Sequence, residues 1–137
     1  MKNIDLTLYF ITNSEGMNEN TFLTKVNGAC LGGATLVQLR EKNKSTREYY
    51  QLACKVKKLT DAFSIPLIID DRIDVAMAVG CGVHLGAEDM PISIARSLMG
   101  EDAIIGATAK SVEAARQRKK RVPIILAVVL FIQPRRM

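Results

Sequence analysis

Charged and polar side chains follow apolar, strand-like segments of this chain. The motif QLREK places Gln38, Arg40 and Lys42 at the end of one such segment, and DDR places Asp70 and Asp71 at the end of another. Mg²⁺ prefers carboxylate oxygens and bridges them to substrate phosphates, while Arg and Lys bind phosphate oxygens directly. These residue types, at the ends of successive strand-like segments, predict magnesium-assisted phosphate chemistry.

Two later segments add to the same pattern. Asp89 follows the apolar segment GVHL, and Thr108 follows the apolar segment AIIGA. If the strands are parallel, their carboxyl ends meet at one edge, so these side chains are expected to share a site. In this interpretation Asp71 and Asp89 hold the metal ion, while Arg40 and Lys42 receive a monophosphate or diphosphate.

The same residues also have structural interpretations. Asp70 or Asp71 could cap the next helix by accepting backbone N–H bonds, and one could do so while the other binds metal. REK could be a solvated loop after a strand. His84 is the single histidine of the chain, so a zinc site built on histidines is excluded, and on a strand we expect a hydrogen-bonded core residue. Cys81, beside two glycines, is expected to serve packing.

The segments that carry these residues alternate between two patterns. Runs such as ATLVQLR, IPLIID and AIIGAT are typical of strands, and between them lie segments with helical spacing, one of which begins at Ser45 or Thr46 with Glu48 close behind. This alternation predicts an α/β fold, either an open doubly wound sheet or a (β/α)₈ barrel. The first strand lacks a following GxGxxG motif, and the polar strand ends favour the barrel.

Composition limits the class of protein. A chain of 137 residues with 48% hydrophobic and 24% charged residues is typical of one globular domain. Its three cysteines form no CxxC pair, which disfavours a disulfide framework and indicates a reducing cytoplasm. The amino terminus has no signal-peptide pattern. We therefore expect a cytoplasmic protein.

The net charge of +5 is unevenly distributed. Residues 1–115 hold 12 basic against 14 acidic residues, and the seven basic residues of 116–137 face no acidic one. The body of the chain therefore gives no electrostatic reason to expect a nucleic-acid partner. The apolar run of residues 122–133 falls short of the roughly 20 residues of a transmembrane helix, so no membrane partner is expected either. The sequence does not indicate an oligomeric state.

At this point the motifs indicate a family. LYFIT, GGATLVQLREK, IIDDRIDVAMAVGCGVHLGAEDMPISIARSLMG and IIGATAKSVEAA closely resemble thiamine-phosphate synthases from about Leu8 to Ala115. The resemblance implies a (β/α)₈ barrel, of which this chain would hold the first five to six βα units. It also implies an enzyme that joins hydroxymethylpyrimidine diphosphate to a thiazole phosphate and releases pyrophosphate with Mg²⁺.

The resemblance assigns roles that agree with those drawn from the residues. Gln38, Arg40 and Lys42 match the stretch that contacts the diphosphate and pyrimidine, and Asp71 and Asp89 match the metal ligands. It adds two substrate-binding positions: Thr108 matches a small hydroxyl residue near the diphosphate, and Asp70 stands where Asn is common. The implied mechanism is dissociative, with pyrophosphate leaving before the thiazole nitrogen captures a pyrimidine-methyl cation.

The last residues depart from the family. We expect residues 1–117 to form the amino-terminal part of the barrel and 118–137 to be an aberrant basic and apolar tail, although its apolar run could also form a sixth strand. The tail can be read in a second frame, in which each triplet begins at the third base of the original codon. In that shifted frame the genetic code permits the peptide GADYLGSGAVYPTAT, which is close to the family's next motif. The sequence therefore predicts a slip of reading frame near Gln117.

Alternatives to the synthase remain open. A thiazole tautomerase-like relative would share the barrel, but it has no need of the magnesium–diphosphate pattern that Asp71 and Asp89 suggest. An inert, non-enzymatic fragment is the third hypothesis. A barrel without its last strands would leave strand edges unpaired, so we expect the chain to be poorly stable and weakly active or inactive.

Overall fold

The computed structural model describes residues 4–120 and 125–128, and all structural statements below concern those residues. The strands are β1 (Tyr9–Ile11), β2 (Leu36–Leu39), β3 (Leu67–Asp70), β4 (Gly82–Leu85), β5 (Ile105–Ala109) and β6 (Ile125–Val128). The helices are α1 (Glu19–Leu31), α2 (Thr46–Ala62), α3 (Ile73–Val79), α4 (Ile92–Met99) and α5 (Val112–Lys120). Strand and helix alternate throughout, as the sequence predicts.

The strands form one parallel sheet whose spatial order follows the chain. Each strand from β1 to β6 pairs with the next one in sequence. A doubly wound sheet reverses its strand order at a switch point, whereas a barrel adds strands in sequence. No reversal occurs among the described strands. The structure therefore confirms part of a (β/α)₈ barrel over the open-sheet alternative.

The tail contributes a strand to this sheet. β6 pairs in parallel with β5, with Gly106 opposite Ile125 and Ala109 opposite Val128. The possibility of a sixth strand in the tail is thus realised over four residues. The proposed boundary at residue 117 and the frame slip stay predictions, and residues 121–124 and 129–137 lie outside the described part. No helix in the described ranges is long and apolar enough to cross a membrane.

Two apolar layers flank the sheet because strand side chains alternate between its faces. Val37, Leu39, Ile69 and Val83 are fully buried in the layer between the sheet and its helices. Members of a smaller cluster (Leu36, Ile68 and Ile125) face the opposite side, with Ile4, Tyr9 and Ile104 packed against them. Every second residue of these strands therefore points to the inner face of the partial barrel.

Local signals fix the beginnings of the helices. Ser45 Oγ accepts from Glu48 N, and Glu48 Oε1 accepts from Ser45 N, a complete capping box at the start of α2. Helix α3 begins differently, because its N-cap residue is Arg72 and no side chain caps it. The hypothesis that Asp70 or Asp71 caps α3 is therefore wrong, and both carboxylates are left for other partners.

Candidate active site

Alternation along the strands brings polar side chains to the inner face at the carboxyl ends. Gln38 lies two residues beyond inward-facing Leu36, and Asp70 lies two residues beyond inward-facing Ile68. They border a cleft of about 440 Å³. Its lining residues are Tyr9, Ile11, Thr12, Asn13, Gln38, Arg40, Asp70, His84 and Thr108. The cleft draws on all of the first five strands, as a site at the rim of a barrel should.

A cluster of charges stands beside the cleft, and we call it the rim cluster: Arg40, Lys42, Asp70, Asp71 and Asp89. Lys42 Nζ donates to Asp70 Oδ2 at 2.8 Å and also to Asp71 Oδ2. Arg40 Nε lies 3.8 Å from the same Asp70 oxygen. Asp70 thus belongs to both the cleft and the rim cluster, and joins the two.

Backbone contacts hold the acidic residues in place. The buried Tyr49 hydroxyl donates to the carbonyl oxygens of Leu39, at 2.8 Å, and Asp70, at 3.1 Å, which ties the ends of β2 and β3 together. Asp71 has a φ of 68°, a conformation that a residue other than glycine adopts rarely, and its N–H donates to His84 O at 2.8 Å. The turn after β3 is therefore anchored to its neighbours on both sides.

The three carboxyl groups differ in their electrostatics. Burial raises the pKa of Asp70, although the hydrogen bond from Lys42 opposes that effect. Burial would raise the pKa of Asp71 as well, but hydrogen bonds with Lys42 and Asp89 lower it overall. Burial and the hydrogen bond with Asp71 raise the pKa of Asp89. The carboxyl groups of Asp71 and Asp89 therefore influence each other's ionisation, and a shared proton or a bound cation between them would be stabilised.

Polar pairs line the wall of the cleft. Gln38 Nε2 donates to the Tyr9 hydroxyl at 2.6 Å, and burial raises the pKa of Tyr9 to about 12, so this phenol stays neutral. His84 Nε2 and Thr108 Oγ1 lie 2.6 Å apart. Burial also lowers the pKa of His84, which favours the uncharged imidazole. The wall formed by Tyr9, Gln38, His84 and Thr108 is thus uncharged, while Arg40 and Asp70 bring charge to the side of the cleft next to the rim cluster.

Comparison with known proteins identifies the family. A sequence profile described as thiamine monophosphate synthase matches residues 8–128. This chain belongs to that family. The match extends past residue 117 and through β6, which is further than the motifs alone indicate.

Individual members of the family are closely similar to this chain. Thiamine-phosphate synthase 2 of Streptococcus pneumoniae is 50% identical over 116 residues, which are 84% of this chain and 55% of that protein. Thiamine-phosphate synthase of Clostridium acetobutylicum is 46% identical over 129 residues, 93% of this chain and 61% of its own length. The solved structure of thiamine phosphate pyrophosphorylase from Pyrococcus furiosus superposes with a TM-score of 0.81 at 40% identity, covering 90% of this chain and 59% of that one. The chain therefore spans a little over half the length of these thiamine-phosphate synthases.

The rim cluster is chemically suited to the magnesium ion that the family resemblance implies. Asp71 and Asp89 offer hard carboxylate oxygens, and each shifts the pKa of the other, which places the two groups near one another. No group of three or more His, Cys, Asp or Glu side chains in the described ranges is placed to hold a metal ion. Mg²⁺ typically takes one or two carboxylates and fills its other positions with water and substrate phosphate. The donor set fits that mode of binding.

The structure separates the expected site residues into two groups. Arg40, Lys42, Asp70, Asp71 and Asp89 come together in the rim cluster. Gln38 and Thr108 lie in the cleft instead, and Thr108 is within β5 rather than after it. The side chains of Arg40 and Lys42 are 48% and 43% exposed, as in a solvated loop, and both nevertheless contact the buried carboxylate of Asp70.

Sequence reasoning missed several residues of the cleft. His84 is buried and hydrogen-bonded, as expected of a core residue, but it also lines the cleft with Tyr9, Thr12 and Asn13. His84 stands opposite Asp70 in the register of β3 and β4, which the sequence alone does not give. Tyr9 and Thr12 carried no signal either, since an aromatic and a threonine are ordinary residues of a strand.

Proposed function

We propose that this chain carries the magnesium- and diphosphate-binding part of a thiamine-phosphate synthase. The reaction would join hydroxymethylpyrimidine diphosphate to a thiazole phosphate, giving thiamine phosphate and pyrophosphate. One observation carries the proposal: two cations converge on the buried carboxylate of Asp70, close to the carboxyl groups of Asp71 and Asp89 and beside a cleft with an uncharged polar wall. Groups that could bind an anion thus stand beside groups that could bind a metal ion.

The cations would receive the diphosphate. Lys42 is a compact charge with three donors, of which Asp70 and Asp71 use two, and the Arg40 guanidinium can bind phosphate oxygens as a planar fork. As the bond between the pyrimidine methylene carbon and the diphosphate oxygen breaks, its electron pair leaves with the pyrophosphate. The positive charges of Arg40 and Lys42 would stabilise that developing negative charge.

Asp71 and Asp89 would hold Mg²⁺. When bound, the ion would neutralise diphosphate charge and act as a Lewis acid at phosphate oxygens. Asp71, whose pKa is lowered, is available as a carboxylate at neutral pH. Its left-handed backbone turns the chain at the carboxyl end of β3, where the side chain meets Lys42.

The cleft would hold the pyrimidine ring. Its volume of about 440 Å³ is within the range of small-molecule sites, and the Gln38–Tyr9 pair offers polar groups without net charge. Such a wall can orient an uncharged heterocycle while the diphosphate lies at the rim cluster. The thiazole nitrogen would then donate its lone pair to the methylene carbon and form the new C–N bond. No step requires a side chain to act as a general base.

Calorimetric titration of the chain with hydroxymethylpyrimidine diphosphate tests the proposal. We expect binding that requires MgCl₂ and that is much weaker for the parent hydroxymethylpyrimidine, which lacks the diphosphate. Equal binding of the two compounds, or no binding of either, would contradict it. A tautomerase-like relative would bind a thiazole phosphate without Mg²⁺. An inert fragment would bind neither the pyrimidine diphosphate nor the thiazole phosphate. Residence in the cytoplasm stays a prediction from the sequence.

A further inference from the structure

The imidazole of His84 has one partnered and one unpartnered nitrogen. Nε2 lies 2.6 Å from Thr108 Oγ1, whereas Nδ1 is buried and has no hydrogen-bond partner among the described residues. The side chain belongs to a residue that is only 6% exposed. Since a neutral imidazole has one N–H donor and one acceptor nitrogen, the question is which nitrogen carries the proton.

Gly106 on the neighbouring strand answers that question. A Cβ atom built on Gly106 would lie 2.5 Å from His84 Nδ1 and 3.4 Å from each of its two ring neighbours, Cγ and Cε1. For a point 2.5 Å from Nδ1, 3.4 Å is close to the greatest distance that both ring neighbours can have at once, so this direction lies outward from the ring, near the axis of the Nδ1 lone pair. The glycine hydrogen that occupies this direction therefore points at Nδ1.

This contact favours an unprotonated Nδ1. A lone pair facing a Cα–H group makes a weak favourable contact, whereas an N–H facing it would set two hydrogens against each other. A buried N–H without an acceptor would also lose the free energy of a hydrogen bond to water. The proton of the neutral ring thus belongs on Nε2, where Thr108 Oγ1 can accept it.

We propose that His84 is a positioning residue that makes Thr108 a hydrogen-bond donor to an anionic ligand in the cleft. His84 Nε2–H occupies a lone pair of Thr108 Oγ1, so the hydroxyl hydrogen must point elsewhere. Thr108 has no other hydrogen-bond partner among the described residues and lines the cleft. On the proposed function, on which this inference rests, the acceptor is an oxygen of the diphosphate.

Gly106 thus sets the tautomer of His84 through shape, and the hydrogen bond from Nε2 sets the direction of the Thr108 hydroxyl hydrogen.

Nitrogen-15 NMR of the full 137-residue chain tests the inference without any ligand. Because His84 is the single histidine, its two ring nitrogens give unambiguous signals in a long-range ¹H–¹⁵N correlation spectrum. At pH 7.5 we expect a protonated, pyrrole-type Nε2 and an unprotonated, pyridine-type Nδ1. A protonated Nδ1, or two protonated nitrogens, would overturn the inference whether or not the chain binds pyrophosphate.

Binding of inorganic pyrophosphate in the presence of MgCl₂ tests the consequence for the ligand. We expect Thr108→Val to weaken this binding about tenfold, as for a lost hydrogen bond to a charged group, and Thr108→Ser to keep it. His84→Met should weaken binding several-fold and His84→Gln, which retains an N–H donor, should weaken it less. In the Thr108→Val background, His84→Met should have no further effect. Additive losses would mean that His84 acts independently of Thr108, which contradicts the inference, and a wild-type chain that binds no pyrophosphate would contradict the proposed function instead.

Discussion

Lys42 Nζ lies 2.8 Å from Asp70 Oδ2, and the Asp70 side chain is only 7% exposed. A buried carboxylate at the end of β3 thus holds an exposed lysine beside the cleft. Removing one partner of such a pair leaves the other charge unpaired in a partly buried position, which lowers the stability of the folded chain. The same contact orients the Lys42 side chain before a ligand binds, so less side-chain conformational entropy is lost on binding.

The lysine gives the first prediction. We expect Lys42→Met to weaken binding of Mg²⁺–pyrophosphate by about tenfold or more, because a charge-assisted contact to phosphate is lost. Isothermal titration calorimetry at fixed ionic strength measures this. Lys55→Met is the matched control, since Lys55 forms an exposed ion pair with Glu19 on the helices. Equal affinities for the two variants would show that Lys42 does not contact the ligand.

The hydroxyl of Tyr49 gives a prediction about stability. It donates to the carbonyl oxygens of both Leu39 and Asp70 in a fully buried position, so Tyr49→Phe leaves two buried acceptors without this donor. We expect a loss of about 1–3 kcal/mol in the free energy of unfolding, measured by urea denaturation.

The neighbouring tyrosine provides the comparison. Tyr50 is 41% exposed, so Tyr50→Phe is expected to change the free energy of unfolding by less than about 0.5 kcal/mol. If the two variants unfolded at the same urea concentration, the Tyr49 hydroxyl would not be tying the ends of β2 and β3 together.

Cys81 gives a prediction about reactivity. Burial raises the pKa of its thiol to about 12, so very little thiolate is present at pH 7.5. We expect iodoacetamide to modify Cys81 at least about a hundredfold more slowly in the folded chain than in the chain unfolded in guanidinium chloride. Peptide mass spectrometry against time gives both rates. Similar rates would mean that the thiol is neither buried nor inert.

The reading frame near Gln117 can be tested on the DNA. The codon argument predicts that the gene, sequenced from codon 110 to a few hundred bases beyond the last one, continues in the shifted frame into further βα units. Codons that forbid the shifted peptide GADYLGSGAVYPTAT would refute the hypothesis outright. The strand β6 does not decide the matter, because an apolar run can pair with an available sheet edge whatever its origin.

Much of the fold could be predicted from the sequence because periodicity and helix caps are local signals. The capping box of Ser45 and Glu48 is an example, and Ser111 likewise accepts from Ala114 N at the start of α5. The choice between a barrel and an open sheet was harder, since strand order depends on contacts far apart in sequence. The polar strand ends pointed to the barrel, and the sequential pairing of the strands confirms it.

The site was predicted in outline but not in its contacts. The sequence grouped Arg40 and Lys42 with the acidic residues because all of them follow strands. It could not show that Arg72, rather than Asp71, is the N-cap residue of α3, since the turn depends on a left-handed backbone at Asp71. Nor could it show the contact of His84 with Gly106, which requires the register of β4 and β5.

In the proposed function, Asp71 helps to hold Mg²⁺ beside a diphosphate. The most direct measurement is the affinity of the chain for inorganic pyrophosphate with and without MgCl₂, compared between Asp71→Asn and Asp74→Asn. Asp74 pairs with Arg72 on the exposed start of α3 and serves as the control. We predict that MgCl₂ strengthens binding in the wild type and in Asp74→Asn, and that Asp71→Asn loses most of this effect. Binding that ignores MgCl₂, or that Asp71→Asn leaves unchanged, would contradict the claim.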